Sequence, residues 1–485
     1  MLMTPENLLF IMSDEHNPRL LGAAGHTIIK TPHLDRLAAR GTMFSDAMCN
    51  SPICVPSRAS FATGRYVHEI GFWDNAHPYN GSVKGWGHRL IARGHHVVSI
   101  GKLHYRSTED SNGFSREIMP LHVVDGVGDV LGSIRPELPI RESVRDLADE
   151  LGPGESSYAQ YDRDIAEAAE QWLSEAAARP NGKPWVLFVS FVEPHFPLIA
   201  PPQFYALYDA QSLPVPAMYA ESERPDHPFI QAMRRCMNYD RHFTPDKMRR
   251  AIANYYGMVS HLDHLIGRVL AALDRTGFTA STRVIYTSDH GDNLGARGLW
   301  GKSNMYRESA GVPLIMAGTD IPAGQVCDRP VSLIDCHPTI FEFTGLPLEA
   351  EDATRPGRSL PDIARGQVGD RVVLCEYHAV GAVTGAFMIR TGRWKYIHYV
   401  GMPPMLFDVV ADPGERHDLG RDARHATDVA ACEQALRSVV DPDAVNRRAL
   451  ADQARKVAEH GGSEAVKRRG TFGRSPVPGE QPVYR

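Results

Sequence analysis

The chain has 485 residues, enough to bury a large core and to suggest two or more structural units. Its formal net charge of -6 argues against nucleic acid or an anionic membrane surface as the main partner, so an anionic substrate must be drawn by a local cluster of positive groups. Cys49, Cys54, Cys236, Cys327, Cys336, Cys375 and Cys432 follow neither metal-site nor disulfide spacing. With no basic segment at the N-terminus and no apolar run of membrane length, the expectation is a cytoplasmic protein.

Residues 8–12 form a continuous apolar run, the pattern of a central strand covered on both faces, and the run ends in Ser13-Asp14-Glu15-His16. Thr31-Pro32 opens a helix that Gly41 closes. Cys54-Val55-Pro56-Ser57-Arg58, followed by Thr63-Gly64-Arg65, places a thiol at the start of a short helical stretch. A cysteine there, beside an arginine, would be activated by the helix dipole and the cation, so ordinary thiol catalysis is one reading. A helical pattern up to Gly94 precedes a strand at 96–100 that runs into Gly101-Lys102-Leu103-His104. A strand at 185–191 runs into Val192-Glu193-Pro194-His195, and one at 283–287 into Ser288-Asp289-His290-Gly291-Asp292. Between these two strands, residues 244–273 form a long amphipathic helix. The alternation predicts an α/β fold with a doubly wound, mostly parallel sheet flanked by helices. Ligands of such sheets sit beyond the carboxyl ends of the strands, where every candidate cluster here falls.

A Pro/Gly/charge-rich stretch at 349–369 reads as a linker. It divides a catalytic α/β domain (1–366) from a smaller α+β subdomain (367–485). In the latter, 371–376, 385–390 and 394–399 have the pattern of a short antiparallel sheet, and 426–439 and 442–460 that of helices. The tail, 461–485, is basic and then rich in Pro and Gly, and is expected to lack regular structure.

Asp14, Asp289 and His290 are oxygen and nitrogen donors at two strand ends, where a divalent metal could polarise an ester oxygen. With the Cys54 motif and Lys102, His195 and Lys302, they give nearly the whole chain a resemblance to the type I sulfatases of the alkaline phosphatase superfamily. Asp74-Asn75, Gly298-Leu299-Trp300 and Trp394-Lys395-Tyr396 are similar to the choline-sulfatase and phosphonate-monoester-hydrolase branch.

The resemblance implies an alkaline-phosphatase-like fold and a sulfuric ester hydrolase acting on a small aryl or alkyl sulfate. In such an enzyme Cys54 is oxidised to formylglycine by a formylglycine-generating enzyme. Asp14, Asp289, His290 and the hydrated aldehyde at 54 bind one divalent metal, and the aldehyde forms a covalent sulfo-enzyme intermediate. Arg58 orients the nucleophile, and Lys102, His195 and Lys302 bind the sulfuryl oxygens, with Asn75 a further candidate contact. One of the histidines or Lys302 protonates the leaving oxygen, and His104 deprotonates the second hydroxyl to expel sulfate. A homo-oligomer is also implied.

Glu15 stands where many sulfatases have a second aspartate, and both metal ligation and a supporting role are open to it. His290 stands where many have asparagine, and an imidazole admits Mn²⁺ beside Ca²⁺. Ala62 replaces a larger apolar residue of the modification signature. The same machinery could instead cleave phosphonate monoesters or phosphodiesters. A non-catalytic anion-binding protein on this fold would keep residue 54 as cysteine. Trp73, Tyr79, Trp86 and Tyr105 could line a leaving-group pocket, although core packing is the more ordinary role for each. The basic tail (Lys467, Arg468, Arg469, Phe472, Arg474) could be solvated or could reach a pocket of another subunit.

Overall fold

The computed structural model describes residues 3–179 and 182–484. The run at 8–12 lies within strand β1 (Asn7–Asp14). Leu8, Phe10 and Met12 point into one apolar core and Leu9 and Ile11 into a second, as an unbroken apolar run requires of a central strand. The remaining strands of the main sheet are β2 (Gly41–Phe44), β3 (Val97–Lys102), β4 (Arg116–Leu121), β5 (Val186–Pro194), β6 (Thr282–Ser288), β7 (Leu314–Ala317) and β8 (Gln325–Cys327). They lie in the order β8-β2-β7-β6-β1-β5-β3-β4, and all but β7 run parallel.

One face is covered by α1 (Pro32–Ala39), α3 (Ser157–Ala178) and α4 (Pro245–Arg275), through residues such as Leu37, Ile165 and Leu262. The other face carries α2 (Cys54–Thr63) and α5 (Cys336–Thr344), through Phe61 and Phe341. This is the doubly wound, mostly parallel arrangement expected from the alternating pattern.

A separate antiparallel sheet comprises β9 (Val373–Tyr377), β10 (Ala386–Thr391), β11 (Trp394–Tyr399) and β12 (Met405–Asp408), in sequential order. Val373, Cys375 and Tyr377 join the main core, whereas Leu374 packs with Phe387, Leu406, Leu436 and Trp73 in a third cluster. Period-2 alternation thus serves two cores at once. Helices α6 (Ala426–Arg437) and α7 (Pro442–Glu459) cover the outer face. The short edge strand β12 is absent from the sequence reading, as are the long α3 and the half-exposed edge strand β4.

Two local expectations are corrected. The stretch read as a linker contains a helical turn at Leu360–Ala364, whose Leu360 and Ile363 are buried in the main core. The tail is not without regular structure: α8 (Ser463–Arg469) buries Val466 against Val457, Ala76, Val130 and Leu131. One buried residue in a mostly charged heptapeptide is a weak periodic signal, and only the patch it meets makes it a helix. No helix among the described residues is long and apolar enough to cross a membrane, and the seven cysteines are unpaired.

Asp74 fastens α7 to the main body. Its Oδ1 accepts from His77 Nδ1 (2.6 Å) and the Ala76 amide (2.9 Å), and its Oδ2 from Ser133 Oγ (2.7 Å) and Gln453 Nε2 (2.8 Å). Burial disfavours the carboxylate, but His77, Ser133 and Gln453 outweigh it and hold Asp74 down to about 2, against an ordinary 3.8. A lowered folded value means stability that is complete above 3.8 and is lost as pH falls through about 2. Asp74→Asn is therefore expected to lose about 2 kcal/mol at neutral pH by urea unfolding. The gap from wild type should close as the pH is lowered through that window; a constant gap would contradict the assignment.

Candidate active site

Four parallel strands deliver their last residues to one place. β1 ends in Asp14, β3 in Lys102 with His104 just beyond, β5 one residue before His195, and β6 one residue before Asp289 and His290. Gly101, at φ 94°, lets β3 pass close to β5; a Cβ there would lie 2.3 Å from the Ser190 carbonyl oxygen. The N-terminus of α2 brings Cys54 against these strand ends. Ser57 Oγ donates to the Asp289 carbonyl (2.5 Å), and the Val55 amide donates to Asn75 Oδ1 (3.3 Å).

Arg58 is 2% exposed and completely engaged. Its Nε donates to Asp289 Oδ2 (2.7 Å), Nη2 lies 3.4 Å from Asp14 Oδ2, and Nη1 donates to the Lys102 carbonyl (2.8 Å) and Ser190 Oγ (2.9 Å). Lys102 Nζ forms an ion pair with Asp14 Oδ2. Burial works against the Asp14 carboxylate, but Lys102, His195, Lys302 and His290 hold it well below the ordinary range.

Asp14, Cys54, Asp289 and His290 are all buried, and one ligand atom of each lies within 4.8 Å of the others. Cys54 Sγ is 3.2 Å from His290 Nε2 and 3.6 Å from Asp14 Oδ1, and His290 Nε2 is 3.6 Å from both carboxylates. His290 Nδ1 donates to the Gly291 carbonyl (3.0 Å), the contact that leaves the Nε2 lone pair facing the cluster. Two carboxylate oxygens, an imidazole nitrogen and the side chain at 54 thus fit a single divalent metal.

Lys302 and His195 stand on the cavity side of the cluster. Lys302 Nζ pairs with Glu15 Oε2 at 2.8 Å, and His195 Nε2 lies 3.4 Å from the same oxygen. Glu15 is outside the four-residue cluster and spans these two groups; burial and Asp292 push its carboxyl up to about 8 against the pull of Lys302. Burial opposes the charge on Lys302, but Cys54, Glu15 and Asp14 hold it well above the ordinary lysine value. Burial, then Lys302 and Lys102, lower His195, whose Nδ1 donates to the Phe196 carbonyl at 2.7 Å. Glu15 and His104 are held at φ 71° and 59°, left-handed backbone that non-glycine residues adopt at a cost.

The thiolate expected at a helix N-terminus is not what this site supports. Burial and the Asp14 and Asp289 carboxylates push Cys54 up to about 12, outweighing Lys302 and Lys102. Arg58 is spent on the carboxylates, so Cys54 is a neutral thiol at physiological pH, unsuited to ordinary thiol catalysis.

A cavity of about 130 Å³ opens onto Cys54, Lys102, His104, His195 and Lys302, with Asn75 also at its wall. Val123, Val144, Leu147, Phe196, Met237 and Phe472 supply its apolar side. Trp73, Tyr79, Trp86 and Tyr105 are core residues, and Trp73 Nε1 donates to Asp452 at 2.8 Å. A larger groove of about 1140 Å³ lies elsewhere; its Arg307 and Arg390 are paired with Asp46, and Arg371 with Asp335. Sequence reasoning missed Tyr158 and Ser475, which reach the site from α3 and the C-terminal segment. Ser475 lies 371 residues from His104, its hydrogen-bond partner, and no local pattern marks it.

If the cluster holds a metal, His290→Ala removes one ligand while leaving the carboxylates and their counter-charges. Protein stripped with a chelator and titrated with Ca²⁺ or Mn²⁺ should gain thermal stability as wild type. The variant should need at least about tenfold more metal for the same gain. Equal titration curves would show that His290 is not a ligand.

Over residues 6–346 the chain matches the family model described as Sulfatase. Over 295–441 it matches that of the N-sulphoglucosamine sulphohydrolase C-terminal region. The choline-sulfatase of Rhizobium meliloti (strain 1021) is 32% identical over 433 residues, which cover 87% of this chain and 84% of that protein. Arylsulfatase K of Danio rerio is 30% identical over 467 residues, covering 91% and 85%. The phosphonate monoester hydrolase of Agrobacterium radiobacter shares the fold, with a TM-score of 0.70 at 22% identity, over 89% of this chain and 95% of that one. The chain belongs to the sulfatase family of the alkaline phosphatase superfamily and is a sulfatase enzyme.

Proposed function

We propose that this sulfatase hydrolyses a small aryl or alkyl sulfate monoester, with Cys54 converted to formylglycine and one divalent ion, Ca²⁺ or Mn²⁺, held by Asp14, Asp289, His290 and residue 54. The observation that carries the reading is the setting of Cys54. It is a neutral thiol at the first position of α2, inside a ready-made ligand cluster and beside Lys102 and Lys302. As a cysteine it is a poor nucleophile; as a hydrated aldehyde it supplies an attacking hydroxyl, and a second hydroxyl whose deprotonation allows sulfate to leave by elimination. The metal supplies Lewis-acid stabilisation of oxygen anions.

The chain's own groups do the rest. Arg58 holds Asp14 and Asp289 and keeps residue 54 in register with them. Lys102, Lys302 and His195, with Asn75 at the wall, bind the sulfuryl oxygens as fixed charges and dipoles around a small cavity. Lys302, held in its charged form, gives a proton to the leaving oxygen, so that an alcohol or phenol departs. Burial, then Lys102, keep His104 well below the ordinary histidine value, so it enters the cycle neutral and able to accept the proton of the second hydroxyl. A cavity of about 130 Å³ with one apolar side selects a compact leaving group.

The same reading takes residues 1–366 as the catalytic unit and 367–485 as a smaller one that completes the pocket. It includes a cytoplasmic, homo-oligomeric enzyme matured by a formylglycine-generating enzyme.

One substrate series tests the reading: an aryl sulfate monoester, phosphonate monoester and phosphate diester sharing one leaving group. kcat/KM for the sulfate is expected to exceed both phosphorus esters by at least about a hundredfold, a gap of roughly 3 kcal/mol in transition-state binding. Dominant hydrolysis of either phosphorus ester would move the assignment to that chemistry. Mass spectrometry of the peptide around residue 54 should find the aldehyde in active enzyme; full activity with intact cysteine would overturn the formylglycine mechanism.

A further inference from the structure

The C-terminal segment beyond α8 returns to the catalytic end of the main sheet. Thr471 Oγ1 donates to Asp129 Oδ1 (2.8 Å), and Arg141 Nη2 binds Asp129 Oδ2 (2.6 Å) and lies 3.4 Å from Thr471 Oγ1. Phe472 enters the wall of the pocket, and Arg474 Nη1 pairs with Glu150 Oε2 at 2.5 Å. Tyr158 OH donates to the Ser475 carbonyl at 2.5 Å, and its ring meets the His195 ring edge-on at 5.9 Å. These anchors place Ser475 Oγ 2.9 Å from His104 Nε2, with the two residues 6% and 5% exposed. A solvated tail needs none of these contacts.

We infer that Ser475 is a positioning residue for His104: its hydroxyl oxygen accepts the Nε2–H and so sets the tautomer in which Nδ1 carries the lone pair. Two observations carry this. His104 Nδ1 is buried without a hydrogen-bond partner among the described residues. A buried N–H there would be orphaned, whereas a bare acceptor is the cheaper unpaired group. The backbone of His104 is also held in the left-handed region, at φ 59°, and its side chain shares the pocket wall with Lys102 and Ser475. The segment is thus a working part of the site in its own subunit.

The inference rests on reading His104 as the proton acceptor, and the test separates the two. Protein with residue 54 left as cysteine and labelled with ¹⁵N-histidine reports the tautomer directly. His104, assigned with a His104→Gln variant, should be the Nε2–H form in wild type. It should become a mixture, or the Nδ1–H form, in Ser475→Ala. In converted enzyme, Ser475→Ala should lower kcat about tenfold with KM within about twofold, and Ser475→Thr should restore it. Rapid-quench experiments on Ser475→Ala should show an initial burst of released phenol, because the step that follows leaving-group departure is the one slowed. An unchanged tautomer, or a shifted tautomer with wild-type kcat, overturns the positioning role. If converted wild type cleaves no sulfate ester, the proposed function fails, and the tautomer measurement still decides whether Ser475 sets His104.

Discussion

One guanidinium ties the site together. Arg58 reaches from α2 to four strands: Asp14 on β1, the Lys102 carbonyl on β3, Ser190 on β5 and Asp289 just past β6. Two buried carboxylates so close would repel each other, and neither could stay ionised without a desolvated counter-charge. Arginine meets this need because its planar fork stays charged when buried and can address several acceptors in fixed directions. The position of α2, and hence of residue 54, follows from that network.

The ionisable groups around residue 54 fall into two sets. Asp14 and Asp289 face Arg58 and Lys102 on the ligand side, and Glu15, its carboxyl pushed up by burial, faces Lys302 on the cavity side. The ligand side keeps the carboxylates ionised and at the same time raises the Cys54 thiol, so the field that suits a metal cluster disfavours a thiolate. That opposition separates this cysteine from those of thiol enzymes, in which the electropositive neighbours act on the sulfur itself. His104 and His195 are both driven toward the neutral form by burial and by the lysines, which suits groups that accept or relay protons.

Access to the cavity is set by parts of the chain remote from the sheet. The 128–147 region, Phe196, Met237 and the C-terminal segment close over the strand ends and leave only a small cavity. Asp129 and Arg141 hold the segment down at one point and Glu150 at another. The small antiparallel sheet completes the main core with one face and builds its own with the other, which fastens the C-terminal region to the catalytic body.

Much of this was legible in the residues. The apolar runs, their acidic or basic termini and the helices between them specify a mostly parallel sheet, because a strand buried on both faces must be apolar throughout and its polar residues collect at its end. The motif from Cys54 to Arg65 and the Asp289-His290 block give the chain its likeness to the sulfatase family, since side-chain type and local spacing carry it. Short edge strands such as β12, and α8 with its single buried valine, were not legible, because packing against a distant surface makes them regular. The ionisation of Cys54 was misread for the same reason: helix position is local, whereas burial and two carboxylates from other strands set the result. The place of Glu15 on Lys302 and of Ser475 on His104 is likewise a product of tertiary structure. The sequence by itself determined which groups could do the chemistry; only the folded chain decided which of them meet, because hydrogen bonds and ion pairs act over a few ångströms while their partners lie hundreds of residues apart.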